Sequence, residues 1–313
     1  MSTRSRRPLV ALLSATVLLA AACGDDEPEA TTPEAPAIPA DGPTITIGAQ
    51  AFGESAILAE IYGQALSHAG YPVEQQALGG YRDLVFTAFE SGDINFTLEY
   101  AASALEFLNG FAGVATSEVR ATTEALRAEL EPLGLRAFSA SPAADYNSFV
   151  VTQTTASTME NQNISALTED MRLGGPADCP DNASCIPGLI SHYGIDLSAN
   201  FVPLDGGGPL TVAALEGGEI DVAVLFSTNG VIAEQSWVVL GDDEGMINAD
   251  NVVPVLSDEV VEAYGAPLRT LVDSVSAALQ TRDLTDMNRR FDIEKEDADA
   301  IAADWLQLYG FLD

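Results

Sequence analysis

The sequence predicts a mixed α/β protein with two lobes. From Thr44 onward, short apolar strand patterns alternate with helical patterns, which is typical of parallel sheets covered by helices on both faces. Two short extended apolar runs, residues 147–152 and 251–255, are suited to carry the chain between lobes. With 313 residues, 47% of them hydrophobic, the chain is long enough to build a core in each lobe.

The chain begins with a pattern that indicates a lipoprotein export signal. Arginines between Arg4 and Arg7 precede an apolar run from Pro8 to Leu19, and three alanines lead directly into Cys23. Lipoprotein processing uses a cysteine in this place, because its thiol takes a diacylglyceryl chain and becomes the new N-terminus. We therefore predict a signal peptide at residues 1–22 and lipidation at Cys23, with plain cleavage as the alternative.

Residues 23–43 are predicted to be a tether. The stretch from Gly24 to Pro43 is acidic and proline-rich, and it cannot bury enough apolar surface to fold. The sequence has no further apolar run of membrane-spanning length after the signal. The expected protein is extracytoplasmic and is held at the cell membrane through its lipid alone.

The first lobe is predicted to contain residues 44–146 together with residues 254–313. Thr44–Gly48 alternates as a strand, and Glu54–His68 has helical spacing that Gly70 ends. The remaining patterns of this lobe are strands near residues 73–78 and 94–98, and helices near residues 81–90, from residue 101, near residues 118–130 and near residues 284–309.

The second lobe is predicted to contain residues 147–253. It starts at the extended run from Asn147, includes a continuous apolar strand at Ile220–Phe226, and closes at the run from Asn251. Since both flanking runs would cross between lobes, we expect hinges near residues 146–149 and 251–254.

The charge balance restricts the partners of the protein. Its 47 acidic residues against 13 Lys and Arg give a formal charge of −34. Such a surface repels nucleic acids and anionic lipid headgroups, and it favours small cationic, zwitterionic or neutral ligands. Lys295 is the only lysine and lies in a charged run, so catalysis by a lysine has no good candidate.

Cys179 and Cys185 remain as an even pair if Cys23 is acylated. Their spacing can close a small loop, and export favours a disulfide between them. A zinc site is the alternative, but it needs two more ligands, and His68 and His192 show no ligand spacing. A redox role is a further alternative.

Motifs that would indicate an enzyme are incomplete. The run Gly206–Gly208 precedes a helical pattern but carries no cation and follows Asp205, so a tight turn is favoured over a phosphate cradle. His192 could act as a base for a nucleophilic serine, but the sequence contains no Gly-x-Ser-x-Gly motif that would supply one. We predict no catalytic residue, no metal and no cofactor, and an enzyme is the least favoured class.

Six segments match one known family in the same order along residues 44–313. They are Gly48-Ala49-Gln50-Ala51-Phe52-Gly53-Glu54, the run from Gly92 to Ser103, Ile186-Pro187-Gly188-Leu189, the run from Gly218 to Gly230, Val239-Leu240-Gly241-Asp242-Asp243, and Val253-Pro254-Val255. They resemble the substrate-binding proteins of glycine betaine/choline ABC transporters. The resemblance implies a type II periplasmic-binding-protein fold with a ligand cleft between two lobes, and a monomeric receptor that delivers its ligand to an ABC permease.

The resemblance also implies an aromatic cage. The family surrounds the methyl groups of its ligand mostly with tyrosines, and Tyr100 keeps one such position in this sequence. Phe149 and Phe226 stand at two other tyrosine positions, although both lie in apolar strands and could instead be core residues. Phe52 and Tyr81, each before a helical pattern, are further candidates for the cleft.

The polar positions differ from those of the family. There, a lysine, an arginine and a threonine hold the carboxylate of betaine, whereas this sequence has Gln50, Asn182 and Ser103 at the matching places. Asp250 falls where the last tyrosine stands, although a cap or a turn is the alternative role for it. Asn147 is expected to offer a hydrogen bond to a ligand hydroxyl.

These replacements predict a cleft that prefers a cation. Without the two cationic anchors a ligand carboxylate loses its charge-assisted hydrogen bonds, and Asp250 adds repulsion. The predicted ligand is a choline-like quaternary or substituted ammonium compound with aromatic faces around its methyl groups, and glycine betaine is the second candidate. The alternative function is a lipid-anchored sensor module of the same fold for another small cationic or zwitterionic solute.

Overall fold

The computed structural model describes Pro39, residues 42–205 and residues 207–313. These residues belong to one compact unit, residues 38–313. The predicted signal peptide, the lipidation site Cys23, most of the predicted tether and Gly206 lie outside the described residues.

The described residues form two five-stranded sheets. The strands are β1 (Ile45–Ala49), β2 (Val73–Ala77), β3 (Phe96–Tyr100), β4 (Leu135–Ala137), β5 (Asn147–Val151), β6 (Leu173–Pro176), β7 (Phe201–Leu204), β8 (Val222–Phe226), β9 (Val238–Val239) and β10 (Val252–Ser257). The order is β2-β1-β3-β10-β4 in the first sheet and β7-β6-β8-β5-β9 in the second.

Helices follow most of the strands. They are α1 (Gly53–His68), α2 (Arg82–Ser91), α3 (Ala101–Leu108), α4 (Val119–Leu130), α5 (Gln153–Ala156), α6 (Ile186–Gly188), α7 (Pro209–Glu216), α8 (Gly230–Gln235), α9 (Asp258–Ala278, kinked at Gly265), α10 (Thr281–Asp292) and α11 (Ala298–Leu308). No described helix has the length and apolarity that crossing a membrane requires.

Each sheet is parallel except around one antiparallel strand. In the first sheet β1 runs parallel to β2 and β3, while β10 runs antiparallel to β3 and β4. In the second sheet β6 runs parallel to β7 and β8, while β5 runs antiparallel to β8 and β9. Strands β5 and β10 are the ones that the chain enters directly after crossing between lobes, and this architecture confirms the predicted two-lobe α/β fold.

Both faces of each sheet are covered. In lobe 1, one face packs Ile47 and Phe96 against α1 and α9–α11, and the other packs Val253 and Val255 against α3 and α4. In lobe 2, Phe149 and Val224 face one apolar cluster, and Val150 and Leu225 face another that includes α7 and α8. Because β8 and β10 are buried on both sides along most of their length, they read as nearly continuous apolar runs in the sequence.

The return crossing lies slightly earlier than the sequence predicted. Val252 pairs with Tyr100, and Val252 and Val253 are fully buried in the two cores of lobe 1, so the crossing precedes β10 rather than splitting it between Val253 and Pro254. The prediction misplaced the boundary because an apolar run looks the same in either lobe. The two connecting segments also touch each other, through a bridge between Ala144 and Asn251.

The C-terminal region differs from the predicted single pattern at residues 284–309. It contains two helices, α10 and α11, and residues 293–297 between them include Lys295 with a φ of 62°. Gln280 and Asp283 begin α10 with a reciprocal capping box, which satisfies backbone amides at the helix start. The charged run around Lys295 is thus the turn that reverses the chain.

Candidate ligand-binding cleft

A cavity of about 950 Å³ opens between the two lobes. Its walls come from the junctions where β1, β2, β3 and β8 lead into the helices that follow them, and from the two segments that connect the lobes. In open α/β sheets ligands bind outside the carboxyl ends of the strands, and the volume lies within the range of small-molecule sites. The lobes therefore place a ligand-sized space between them.

Eight of the nine residues predicted for ligand contact line this cavity. They are Gln50, Phe52, Tyr81, Tyr100, Ser103, Asn147, Phe226 and Asp250, and Asn182 joins them at the edge. The structure places these side chains together, although they come from seven separate parts of the sequence. Their contact with a ligand remains a prediction.

Phe149 does not line the cavity, and the prediction that it forms a wall of the cleft is wrong. It lies in β5 opposite Val224, has no exposed surface, and packs with Cys179 and Leu189 in the core of lobe 2. Because β5 is an inner strand with both faces covered, a residue two positions from its cavity end is already inside the lobe. Asn147, at that end, does reach the cavity.

Aromatic side chains line much of the cavity. The rings of Phe52 and Tyr100 lie 6.2 Å apart with an angle of 34° between their planes. Tyr81 and Phe226 are 64% and 50% exposed, so their faces are available to a ligand. Three further aromatic residues line the cavity that sequence reasoning missed: Phe107, Phe111 and Tyr146.

Phe111 is held in an unusual backbone conformation. Its φ of 62° lies in the left-handed region, which bulky residues rarely adopt, and its side chain is 78% exposed. The loop that holds it is anchored by Glu106, whose carboxylate accepts hydrogen bonds from the amides of Gly113 and Ala115. One local signal for this turn is present in the sequence, the glycines at positions 110 and 113 that flank Phe111.

Carboxylates dominate the charge of the cavity. Among the described residues, five acidic side chains line it against one basic side chain, Arg82; the acids are Glu54, Glu106, Asp145, Asp250 and Asp292. Only Asp250 was identified from the sequence. The others were hidden among 47 acidic residues, none of which stands out by spacing.

Glu54 is the most enclosed of these acids. It lies in the first turn of α1, accepts hydrogen bonds from the Tyr100 hydroxyl and from Asn288 Nδ2, and is only 6% exposed. Burial raises the pKa of the Glu54 carboxyl, and the hydrogen bonds from Tyr100, Thr228 and Asn288 only partly offset that effect. Burial also raises the pKa of Tyr100 well above its ordinary value.

Asp145 and Asp250 lie on the two segments that connect the lobes. Asp250 accepts hydrogen bonds from the amide of Ser103 at 2.9 Å and from its hydroxyl, so it also caps the start of α3. Asp145 accepts from Ser227 Oγ at 3.3 Å and from the amide of Thr228 at 3.4 Å. Burial raises the pKa of both carboxyls, that of Asp145 strongly.

Arg82 is a cationic group that the sequence reasoning did not place in the cleft. Its Nε donates to Glu99 Oε2 at 2.9 Å, and the Glu99 side chain has no exposed surface. Burial raises the pKa of Glu99, and the charge of Arg82 opposes this effect. Arg82 thus brings one positive charge to the cavity although the two cationic anchors of the family are replaced, and this charge is already paired with Glu99.

Gln50 supports the same ion pair from the end of β1. Its side-chain amide donates to Glu99 Oε1 at 3.4 Å, and its backbone amide donates to Ser55 Oγ at 2.9 Å. The side chain is thus held at the cavity wall with one amide end engaged by Glu99. Gln50 lies at the position that matches the carboxylate-binding lysine of the family, and it contributes no charge there.

The structure joins Cys179 to Cys185 in a disulfide. The loop that it closes brings Asn182 and Ser184 to the edge of the cavity. Among the described residues, no group of three or more His, Cys, Asp or Glu side chains is arranged to hold a metal ion. The pair therefore shapes the rim of the cleft.

The fold and the cavity together define a class of protein. Two lobes built on mostly parallel sheets, joined by two segments and separated by a ligand-sized cavity, are the architecture of extracytoplasmic solute-binding proteins. Residues 43–308 match the model of a single family, the substrate-binding domain of the ABC-type glycine betaine transport system. The chain belongs to that family, which confirms the resemblance seen in the sequence.

Two relatives in sequence and one solved structure support this family assignment. The chain is 23% identical over 278 residues to the glycine betaine-binding protein YehZ of Escherichia coli (strain K12), covering 85% of this chain and 91% of the relative. It is 25% identical over 288 residues to a glycine-betaine-binding protein of Pseudomonas aeruginosa (strain PAO1), covering 88% and 90%. A crystal structure described as a glycine betaine/carnitine/choline ABC transporter shares the fold, with a TM-score of 0.76, 20% identity, and coverage of 86% and 100%.

The family membership establishes the general role. This protein is a solute-binding component of an ABC transporter, which works outside the cytoplasm with a permease. The family is one of transport proteins and not a class of enzymes.

Proposed function

We propose that this protein binds a choline-like quaternary or substituted ammonium cation in the cleft between its lobes. The observation that carries the proposal is the charge of the cavity, where, within the described part of the chain, five carboxylates face one arginine that is already paired with Glu99. Inside a protein, charges are poorly screened, so this excess favours a ligand with net positive charge.

The aromatic residues supply the second part of the recognition. A quaternary ammonium group has no N–H to donate, so hydrogen-bond acceptors alone cannot hold it, whereas the faces of aromatic rings attract its methyl groups by about 0.5–2 kcal/mol each. Tyr100, Phe52 and Phe226 are our candidates for these walls, with Tyr81 beside them. Gln50, Ser103 and Asn147 are candidates for a ligand hydroxyl, and Asp250 contributes negative charge.

Glycine betaine is the second candidate, and Arg82 is the observation that favours it. Only Nε of Arg82 contacts Glu99, so the rest of the guanidinium can offer hydrogen bonds to a carboxylate in the cavity. The named relatives are glycine betaine-binding proteins, which also supports this candidate.

The arrangement at the membrane is part of the proposal. We infer a monomer that is anchored only through a lipid on Cys23 and that reaches its permease on the acidic tether of residues 23–43. The alternative is a lipid-anchored sensor module of the same fold for another small cationic or zwitterionic solute. A permease gene and an ATPase gene beside this gene would favour the transport receptor.

Titration calorimetry with choline and glycine betaine tests the ligand. We expect choline to bind more tightly than glycine betaine, because the betaine carboxylate brings negative charge into an acidic cavity. Tight binding of glycine betaine without binding of choline would falsify the preference and assign Arg82 as the carboxylate anchor. A thermal-shift screen of methylated amines, betaines and polyamines then identifies the best ligand within the class.

A further inference from the structure

Two carboxyl groups at the junction of the lobes are surrounded by neutral hydrogen-bond donors. Glu54 accepts from Tyr100 and Asn288, and Asp145 accepts from Ser227 and Thr228. Neither takes part in any ion pair that the described part of the chain contains. A buried carboxylate without a cationic partner is costly, so the pair needs either a proton or a positive charge from elsewhere.

The two carboxyl groups are close neighbours. Thr228 connects them: its backbone amide donates to Asp145 at 3.4 Å, and its carbonyl accepts from Asn288 Nδ2 at 2.9 Å, which also donates to Glu54. Both carboxyl groups thus depend on one small set of neutral donors, and two buried carboxylates in this arrangement would repel each other. The pair therefore favours a single negative charge as long as no cation is bound.

The other acids of the cavity are better compensated. Asp250 accepts two hydrogen bonds from Ser103 and feels the positive charge of Arg82, which lowers its pKa against the larger effect of burial. Asp292 is exposed to solvent and feels the positive charge of Lys295, and Glu106 accepts hydrogen bonds from the amides of Gly113 and Ala115. The least compensated negative charge in the cleft thus belongs to Glu54 and Asp145.

We propose that Glu54 and Asp145 together form the counter-ion for the cationic head of the ligand, and that binding of a cation there releases a proton to solvent. This inference rests on the proposed function and adds residues and a proton balance to it. Before binding, the pair holds one proton. The incoming cation supplies the missing positive charge, the carboxyl O–H bond breaks, the carboxylate keeps the electron pair, and the proton passes to the buffer.

The groups around the pair support this balance. Glu54 is faced by Asp292 of α10 and by the Tyr100 hydroxyl, and Asp145 is faced by Glu54 and Asp250. Tyr146, which follows Asp145, stays neutral because burial raises its pKa. Each ionisable neighbour is therefore negative or neutral, and mutual repulsion and burial both favour the protonated pair. Since the two carboxyls interact, the proton belongs to the pair rather than to either residue.

Calorimetry with choline on the unmodified protein measures the proton directly. Choline carries a permanent charge, so any dependence on pH comes from the protein. In two buffers with different ionisation enthalpies, the difference in binding enthalpy gives the number of protons released, and we expect a value near one in mildly acidic buffer. The affinity should rise with pH by up to about tenfold per pH unit while the pair titrates, and then level off.

Amide variants locate the source of the proton. In Glu54→Gln and Asp145→Asn the pair loses one carboxyl, so we expect choline to bind at least about tenfold more weakly and proton release to fall close to zero. Glu60→Gln is the matched control, because Glu60 lies on the same helix but does not line the cavity. It should keep both the affinity and the proton release. Circular dichroism shows whether each variant is folded.

The outcomes separate this inference from the function on which it rests. Choline binding with no proton release and no change with pH would overturn the counter-ion role and leave the proposed ligand intact. Folded Glu54→Gln and Asp145→Asn variants that bind choline as tightly as the unmodified protein would overturn it as well. Binding of glycine betaine without binding of choline contradicts the proposed function itself.

Discussion

The backbone amide of Asp145 donates a hydrogen bond to the carbonyl oxygen of Asp250 at 3.1 Å. This bond joins the two segments that connect the lobes, next to the bridge between Ala144 and Asn251. Both aspartates line the cavity, so the segments that are predicted to act as hinges also carry negative charge of the cleft. We therefore expect a ligand that neutralises this charge to act directly at the predicted hinge.

Replacement of Phe226 by alanine should mainly weaken ligand binding, whereas replacement of Phe149 by alanine should mainly lower stability. Phe226→Ala removes an exposed ring from the cavity and should weaken choline binding by about 1 kcal/mol, or roughly fivefold in Kd, with little change in stability. Phe149→Ala leaves a hole in the core of lobe 2 and should cost about 3–5 kcal/mol of folding free energy. Calorimetry and urea unfolding measure the two effects. Equal loss of affinity in both variants at low temperature, where both are folded, would contradict this assignment.

Arg82 and Glu99 should depend on each other for stability. Arg82→Gln leaves the fully buried Glu99 without its cation and should destabilise the protein by on the order of 3 kcal/mol. Adding Glu99→Gln should recover most of that loss, because the remaining partner is then neutral. Thermal unfolding of the single and double variants measures the coupling, and additive losses would show that the two side chains act independently.

Replacement of Arg82 should change the affinity for choline and the affinity for glycine betaine in different ways. Because Arg82→Gln removes the one cationic side chain among the described residues that line the cavity, choline should bind it at least as tightly as it binds the unmodified protein. Glycine betaine should bind the variant more weakly, since its carboxylate loses its one cationic donor. The Arg82→Gln/Glu99→Gln double variant, in which stability is restored, is the proper background for this comparison by calorimetry.

The unliganded protein should lose stability as the pH rises through the raised pKa values of the cleft. Burial raises the pKa of Glu54, Asp145 and Asp250 in the folded state, so between their ordinary and raised values the folded chain binds more protons than the unfolded chain. Stability from these groups is therefore highest at the acidic end of this range and falls as they ionise. Glu54→Gln should flatten the profile measured by thermal unfolding, whereas Glu60→Gln should not.

Gly230 should control how closely the lobes approach. A Cβ built at Gly230, at the start of α8 in lobe 2, would lie 2.5 Å from the backbone N and Cα of Arg289 in α10. Gly230→Ala should therefore push α8 away from α10, lower stability by about 1–3 kcal/mol and weaken ligand binding. Gly217→Ala is the control, since its nearest neighbour lies at 3.1 Å and it does not line the cavity. Small-angle scattering with and without ligand reports the change in closure.

The cleft residues that could be predicted lie where a strand turns into a helix. Gln50 follows β1, Tyr100 ends β3 and Ser103 lies in the first turn of α3, and each of these junctions is visible in the sequence as a change of hydrophobic period. The strand pattern could not separate Phe149 from Phe226, because both stand in apolar runs. What distinguishes them is depth: Phe226 ends β8 at the cavity, and Phe149 lies inside β5.

The rest of the cleft depends on contacts between distant parts of the chain. Glu54 meets Asn288, which lies 234 residues later, and Asp145 meets Thr228, which lies 83 residues later. No local pattern marks these partners, and an acidic residue does not stand out in a chain with 47 of them. Arg82 stands at the start of the helical pattern near residues 81–90, but only the fold shows that its guanidinium reaches the cavity wall and the buried Glu99.

The disulfide between Cys179 and Cys185 places one maturation step of this protein outside the cytoplasm. Cytosolic thiols are kept reduced, so the bond is made only after the chain has left the cell interior. Before that step, the loop that carries Asn182 and Ser184 at the rim of the cavity lacks this covalent closure.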